Sequence, residues 1–226
     1  ASGATINVTV KDQTIELLEV NGAPVEEVLI DPVAIAQISG ASREIRNYTH
    51  LDQIPTKLLQ AIIAIEDQRF LEHVGFDIKS LARALWVNLR SRTFSQGGST
   101  ITQQLVKNLL GNNEKTISRK FRELVLAVLI EAKYSKDFIL ERYLNEVYVG
   151  QVGALEIHGV TDAARYLFGK SLQNLKISEM AMIAGIIRGP AYYSPYKHSA
   201  RASERKDTVL RKMAELELIT AKELLQ

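Results

Sequence analysis

The chain has 226 residues, a formal net charge of +2, and hydrophobic and charged fractions of 46% and 24%. This balance excludes a disordered chain, and the length suits one to two globular domains with a substantial core. Because the chain contains no cysteine, disulfide frameworks, thiolate nucleophiles and thiolate metal sites are also excluded.

The first fifty residues differ in pattern from the rest. Residues 5–10 and 14–20 are rich in β-branched side chains, which predicts two strands, and Asn21-Gly22 predicts a turn after them. A short helix is predicted over residues 31–40 and a polar connector over residues 41–52. We interpret residues 1–50 as a partly β N-terminal extension, the remnant of a preceding module plus a connector.

From residue 55 onward the pattern is mainly helical. Pro55 fits a helix start, and apolar side chains up to Ile65 build one side of that helix. Between residues 121 and 132, apolar side chains recur at the spacing of an amphipathic helix. Further helices are predicted over residues 78–89, 100–110, 136–147, 159–167, 178–187 and 200–216. Residues 51–226 are therefore predicted to form one mainly α, enzyme-sized domain.

No apolar run approaches the roughly 20 residues that span a bilayer. The longest runs, residues 58–65 and 124–130, lie in the middle of the chain, so neither fits a signal peptide. We expect that a membrane anchor preceding Ala1 is absent from this chain.

Positive charge is concentrated in one segment. Between Lys79 and Arg122 there are nine basic residues and one acid, Glu114, so this segment carries +8. A basic lobe on a nearly neutral protein predicts a local anionic partner, such as a diphosphate, an acidic lipid headgroup or nucleic acid. A solvated basic face is the alternative.

Residues 97–108 (GGSTITQQLVKN) form the most specific pattern in the chain. The two glycines permit close approach to the backbone, and Ser99 or Thr100 can cap the following helix. Thr100, Gln104 and Lys107 share one helical face, which predicts an anion site at the start of this helix. A well-capped helix with an exposed polar side is the alternative, and the residue order of a P-loop is absent.

Two glutamates flank this pattern. Glu66 directly follows an apolar helix, so partial desolvation predicts a raised pKa suited to acid–base chemistry. An ion pair with Arg69 is the alternative. Glu123 follows Arg119 by four residues and Lys120 by three, which fits a helical salt bridge and a second site carboxylate equally well.

Five motifs, in order, resemble the peptidoglycan glycosyltransferase domain of class A penicillin-binding proteins (glycosyltransferase family 51). They are EDQRFLEHVG (66–75), GGSTITQQLVKN (97–108), RKFRE (119–123), YLNEVYVG (143–150) and AGIIRGP (184–190). The resemblance covers about residues 50–215. It departs mildly from the family pattern at Gln68, where arginine is common, and at Leu71, where an aromatic residue is common.

The resemblance implies a lysozyme-like, mainly α fold with a large head lobe and a smaller jaw lobe beside the membrane. The jaw would lie near residues 89–97 and 111–118. Four side chains are expected on an anionic bilayer surface: Trp86, Arg90, Arg92 and Phe94. The implied location is the extracytoplasmic, periplasmic face of the bacterial plasma membrane.

The implied reaction is glycan elongation from lipid II, a lipid-linked disaccharide-peptide. The 4-hydroxyl of the acceptor attacks the anomeric carbon of the donor, and polyprenyl diphosphate leaves with inversion. The implied catalytic residues are Glu66, the general base, and Glu123, which supports the diphosphate directly or through a divalent metal such as Mg²⁺. No organic cofactor is implied. The implied substrate-binding residues are Ser99, Thr100, Gln104, Lys107, Asn108, Arg119 and Arg188.

Expected partners are lipid II, the growing lipid-linked glycan chain, the membrane surface and cell-wall synthesis proteins, but not nucleic acid. A lysozyme-like glycan hydrolase or lytic transglycosylase is the first alternative. It would not require the cations Lys107, Arg119 and Arg188, because its scissile bond carries no diphosphate. A non-catalytic scaffold that binds membrane or glycan is the second, and weak, salt-sensitive DNA binding is a distant third.

Overall fold

The computed structural model describes residues 6–11, 14–25, 44–45, 47–91, 97–111 and 116–224. The chain divides into two compact units, Ala1–Ile38 and Ser39–Gln226. This division precedes the boundary predicted at residue 50. Part of the predicted connector belongs to the second unit because strand β4 (Glu44–Ile45) pairs there with a later strand. The helix predicted over residues 31–40 lies outside the described residues.

The first unit contains a three-stranded antiparallel sheet in the order β1-β2-β3. Its strands are β1 (Ile6–Lys11), β2 (Thr14–Val20) and β3 (Ala23–Pro24). The two predicted strands are therefore confirmed. Asn21 and Gly22 have φ values of 53° and 83°, the left-handed pair that a tight hairpin turn requires, so the predicted turn is confirmed as well.

The described part of the second unit is mainly helical, which confirms the predicted fold class. Every helix predicted between residues 55 and 216 is present, with ends that differ by a few residues. The helices are α1 (Thr56–Glu66), α2 (Ile78–Ser91), α3 (Ile101–Leu110), α4 (Ile117–Lys133), α5 (Lys136–Glu146), α6 (Val160–Phe168), α7 (Ile177–Ile187), α8 (Ser199–Glu215) and α9 (Ala221–Leu224). None of the described helices is both long and apolar enough to cross a bilayer.

A short hairpin interrupts the helices and was not predicted. Strands β5 (Tyr148–Val152) and β6 (Leu155–His158) pair antiparallel, and β4 pairs in parallel with β6. Strands of four and five residues offer too few positions for an alternating pattern to stand out in the sequence.

Helix α7 forms the centre of the second unit. It packs against α1 and α8, and most of its length is buried, including Ile183, Ala184 and Ile186. Its Gly185 leaves room for a neighbour, because a Cβ atom there would lie only 3.1 Å from Cγ of Arg205 on α8. Helix α3 packs separately against α4 and α5. These contacts position the end of α1 and the start of α3.

Helix α4 shows the predicted amphipathic pattern, but its apolar stripe faces outward. Phe121, Val125 and Leu129 are 65%, 41% and 58% exposed, whereas Glu123 and Ala127 are fully buried. The helix therefore turns a carboxylate toward the protein interior and an apolar side toward the surroundings.

Candidate active site

Glu66 is the last residue of α1, and only 8% of its side chain is exposed. Burial raises the pKa of this carboxyl group above its ordinary value, while a hydrogen bond from Gln104 and the nearby cations partly oppose the rise. The alternative ion pair with Arg69 is wrong, because Arg69 pairs with Glu72 and Asp77 at 2.8 and 3.0 Å. Glu66 thus has the environment of an acid–base group.

A chain of two hydrogen bonds fixes the orientation of Glu66. The hydroxyl of Tyr143 donates to Oε1 of Gln104 at 3.1 Å, and Nε2 of Gln104 donates to Oε2 of Glu66 at 2.9 Å. Complete burial raises the pKa of Tyr143 well above its ordinary value, so this hydroxyl remains a donor. The other oxygen, Oε1 of Glu66, has no hydrogen-bond partner among the described residues.

The start of α3 is tied to the end of α1. Asp67 accepts a hydrogen bond from the backbone N–H of Ile101 at 3.0 Å and lies 2.9 Å from Nε2 of His73. Thr100 caps α3, since its hydroxyl accepts from the N–H of Gln103 and donates to the carbonyl of Gly75. The Thr100 hydroxyl thus forms its two hydrogen bonds with backbone groups. Its contact with substrate stays a prediction.

Glu123 forms the helical salt bridge that its sequence spacing predicts, and its role as a second site carboxylate stays a prediction. Its carboxylate is buried and lies 3.1 Å from Nε of Arg119 and 3.1 Å from Nζ of Lys120. Lys120 also donates to the hydroxyl of Ser99 at 2.9 Å and to Oε1 of Gln103 at 3.4 Å. Lys120 thereby connects α4 to α3 and to the glycine-containing loop.

Two cavities meet at Glu66. The smaller one, here called the cation cavity, has a volume of about 180 Å³ and contains Lys107 and Lys120 in its wall. The larger one, here called the open cavity, has a volume of about 470 Å³ and is lined in part by Arg205. Glu66, Ser99 and Arg188 line both cavities. Glu66 therefore belongs to the walls of both cavities.

Most of the predicted site residues converge on these cavities. Six line the cation cavity: Glu66, Ser99, Gln104, Lys107, Glu123 and Arg188. Thr100 lines the open cavity, Arg119 pairs with Glu123, and Asn108 lines neither cavity. Their roles remain predictions.

Two cations of the site, Lys120 and Arg205, were not predicted as site residues. The spacing of Lys120 from Glu123 predicts an ion pair, and its position in the RKFRE motif is the signal that indicates a site residue. Arg205 lies 3.8 Å from Glu66 but sits in an ordinary helical pattern far along the chain, where no local signal indicates it.

A divalent metal does not fit the donor set as it stands. Mg²⁺ is usually held by one or two carboxylates together with substrate phosphates. Both oxygens of Glu123 already face cations, and the described residues contain no cluster of three or more potential metal ligands. The participation of a divalent metal stays a prediction.

Comparison with known proteins identifies the family. The transglycosylase family model matches residues 31–214. Penicillin-binding protein 1B of Vibrio cholerae is 43% identical over 197 residues, which cover 87% of this chain and 25% of that protein. Penicillin-binding protein 1B of Escherichia coli is 39% identical over 190 residues, 84% of this chain and 22% of that protein.

Penicillin-binding protein 1A of Aquifex aeolicus is 43% identical over 175 residues, 77% of this chain and 24% of that protein. The chain spans about a quarter of the length of these relatives. Since the family model covers most of the chain, the chain belongs to the transglycosylase family, the peptidoglycan glycosyltransferase domains that its five motifs resemble.

Proposed function

We propose that this chain polymerises lipid II into glycan strands by inverting transfer, with release of polyprenyl diphosphate. The observation that carries the proposal is the position of Glu66. It is a buried carboxylate with a raised pKa in the wall shared by the cation cavity and the open cavity, and cationic side chains line both cavities. A general base must lie within hydrogen-bond reach of the proton that it takes, so a position between the donor and acceptor cavities suits this role.

The cation cavity suits the diphosphate of the donor. Lys107, Lys120 and Arg188 contribute positive charge to its wall. As the bond between the anomeric carbon and the diphosphate oxygen breaks, its electron pair leaves with the diphosphate, and fixed cations stabilise the charge that develops there. Glu123 holds Arg119 and Lys120 in place through its two ion pairs.

The open cavity suits the acceptor sugar. Oε1 of Glu66 has no hydrogen-bond partner among the described residues, so it is available to take the proton of the acceptor 4-hydroxyl. The hydroxyl oxygen then bonds to the anomeric carbon. Because donor and acceptor enter through different cavities, attack can occur opposite the leaving group, which gives inversion.

The exposed apolar side chains support contact with a membrane. Ile117, Phe121, Val125 and Leu129 form a stripe along α4, and Trp86 on α2 is 68% exposed. We assign these side chains to the lipid surface that holds the substrate. Arg92 and Phe94 lie outside the described residues. The periplasmic face of the membrane and contacts with cell-wall synthesis proteins belong to this proposal.

The test is incubation with labelled lipid II in detergent. The parent should form polymer, and Glu66→Gln should lower the rate by about 10²–10⁴-fold, because the general base is lost. Glu156→Gln removes a half-exposed carboxylate on β6 and should leave the rate unchanged.

If Glu66→Gln forms polymer at the parental rate, Glu66 takes no part in the reaction. A parent that forms no polymer but cleaves preformed glycan would establish a hydrolase or lytic transglycosylase instead.

A further inference from the structure

A third cavity, here called the tyrosine cavity, adjoins the open cavity. It has a volume of about 280 Å³. Its lining residues are Tyr192, Tyr193, Arg201, Glu204, Arg205 and Thr208. Arg205 and Thr208 also line the open cavity, whereas the tyrosine cavity shares no lining residue with the cation cavity. It therefore extends the site only on the side assigned to the acceptor.

Arg205 is a buried cation with unused hydrogen-bonding capacity. Only 9% of its side chain is exposed, and neither Nε nor Nη2 has a hydrogen-bond partner among the described residues. Its distance of 3.8 Å to Glu66 is too long for a hydrogen bond. Because a buried positive charge is costly, a ligand that places acceptor oxygens in the tyrosine cavity beside this guanidinium would be favoured.

The remaining walls combine charge with aromatic surface. The guanidinium of Arg201 lies 4.5 Å from the ring centre of Tyr192, and Tyr192 and Tyr193 meet edge to face at 4.9 Å. Within the described part of the chain, neither Arg201 nor Glu204 forms an ion pair. The cavity therefore presents two guanidinium groups, one carboxylate and two rings to a ligand.

This composition favours a peptide over a diphosphate. Guanidinium groups recognise planar carboxylates through paired hydrogen bonds, and tyrosine rings pack against small apolar side chains. A diphosphate, by contrast, would be repelled by Glu204 and would gain little from the rings. Lipid II carries its peptide on the sugar next to the one whose 4-hydroxyl reacts, so the branch leaves the reacting centre within one sugar unit.

We propose that the tyrosine cavity binds a carboxylate of the peptide branch of the acceptor, through Arg201 and Arg205. This inference rests on the proposed function. It adds a recognition element for the peptide to a site whose chemistry concerns only sugars and diphosphate.

The test measures single transfers. A labelled donor whose own 4-hydroxyl is capped cannot act as an acceptor, so the acceptor can be varied alone. Two acceptors are compared, one with free peptide carboxylates and one with these carboxylates amidated. The enzymes are the parent, Arg201→Gln and Lys222→Gln, which removes an exposed cation on α9.

In the parent, amidation should raise the KM of the acceptor about tenfold and leave kcat unchanged, because one charge-assisted contact is lost. Arg201→Gln should raise the KM of the free-carboxylate acceptor about tenfold and leave that of the amidated acceptor unchanged. Lys222→Gln should match the parent with both acceptors.

Equal KM values for the two acceptors in the parent would overturn the inference, and so would equal effects of Arg201→Gln on both. Tyr192→Ala provides a second test, since it should raise KM for peptide-bearing acceptors but not for an acceptor without peptide. Absence of transfer to every acceptor by the parent would instead overturn the proposed function.

Discussion

At the scale of single residues, the burial of Glu66 links catalysis to stability. Burial raises the pKa of this group, so the folded protein holds its proton more tightly than the unfolded chain does. As the pH rises from the ordinary glutamate pKa toward the raised one, the unfolded chain loses its proton first, and the free energy of unfolding falls.

The variant Glu66→Gln should therefore be more stable than the parent at neutral pH, because the glutamine amide does not have to ionise in the buried site. The difference should vanish below the ordinary glutamate pKa. Urea denaturation of both proteins between about pH 4 and pH 8 measures it. Parallel stability curves would show that Glu66 titrates normally.

Lys120 should be as important for catalysis as the residues that were predicted to bind substrate. Its ammonium contacts Glu123, Ser99 and Gln103 and lines the cation cavity. Lys120→Met should lower kcat about a hundredfold, since one fixed cation at the developing charge is lost.

The control is Lys133→Met, the same change at the exposed end of α4. It should leave kcat unchanged. Comparable losses in both variants would mean that helix α4 merely tolerates the change poorly.

Some of these residues could be predicted from the sequence, for physical reasons. Glu66 directly follows an apolar helix, so its burial could be inferred from local pattern, and Gln104 and Lys107 follow from helical spacing within one motif. Arg205 could not be inferred, because it reaches Glu66 from a helix far along the chain. The packing of α8 against α1 and α7 brings the two together.

At the scale of elements, Gly75 couples α4 to α3. Its φ is +85°, and its carbonyl accepts hydrogen bonds from Thr100 and Gln103, which ties the loop between α1 and α2 to the start of α3. A Cβ atom at this position would lie 2.7 Å from the backbone carbonyl carbon of Ala127, so the loop is pressed against α4.

Gly75→Ala should therefore destabilise the protein by more than the roughly 1 kcal/mol typical of a left-handed alanine. Gly153→Ala is the matched control, because Gly153 has a φ of +58° but open space around its Cβ position. Chemical denaturation of the two variants gives the comparison. Equal losses would mean that only backbone conformation matters at Gly75.

Helices α1 to α8 were predictable because each carries apolar positions at helical spacing over nine or more residues. The β5–β6 hairpin was not, since its short strands leave no comparable pattern. The spacing of apolar residues also does not show whether the apolar side of α4 faces the core or the surface. Phe121, Val125 and Leu129 have the spacing of a core-facing side, yet they are exposed.

At the scale of the whole molecule, the outward stripe of α4 should control binding to lipid surfaces. Phe121→Asp should lower the fraction bound to anionic vesicles about tenfold, because burying a phenylalanine contributes about 1.5–3 kcal/mol. Sedimentation with vesicles measures the bound fraction.

Val152→Asp places the same charge on an exposed apolar position of β5 and should leave vesicle binding unchanged. If both variants bind alike, the stripe of α4 is not the membrane contact.

The wall between the two cavities also has a consequence for translocation. On the proposed function, each transfer leaves the lengthened chain attached to the diphosphate of the former acceptor, in the open cavity. To serve as the next donor, that diphosphate has to pass only Glu66, Ser99 and Arg188, which line both cavities. Arg188 lines both cavities, so one guanidinium borders the path along which the diphosphate advances. Strand length is then set by the competition between this short advance and escape of the lipid tail.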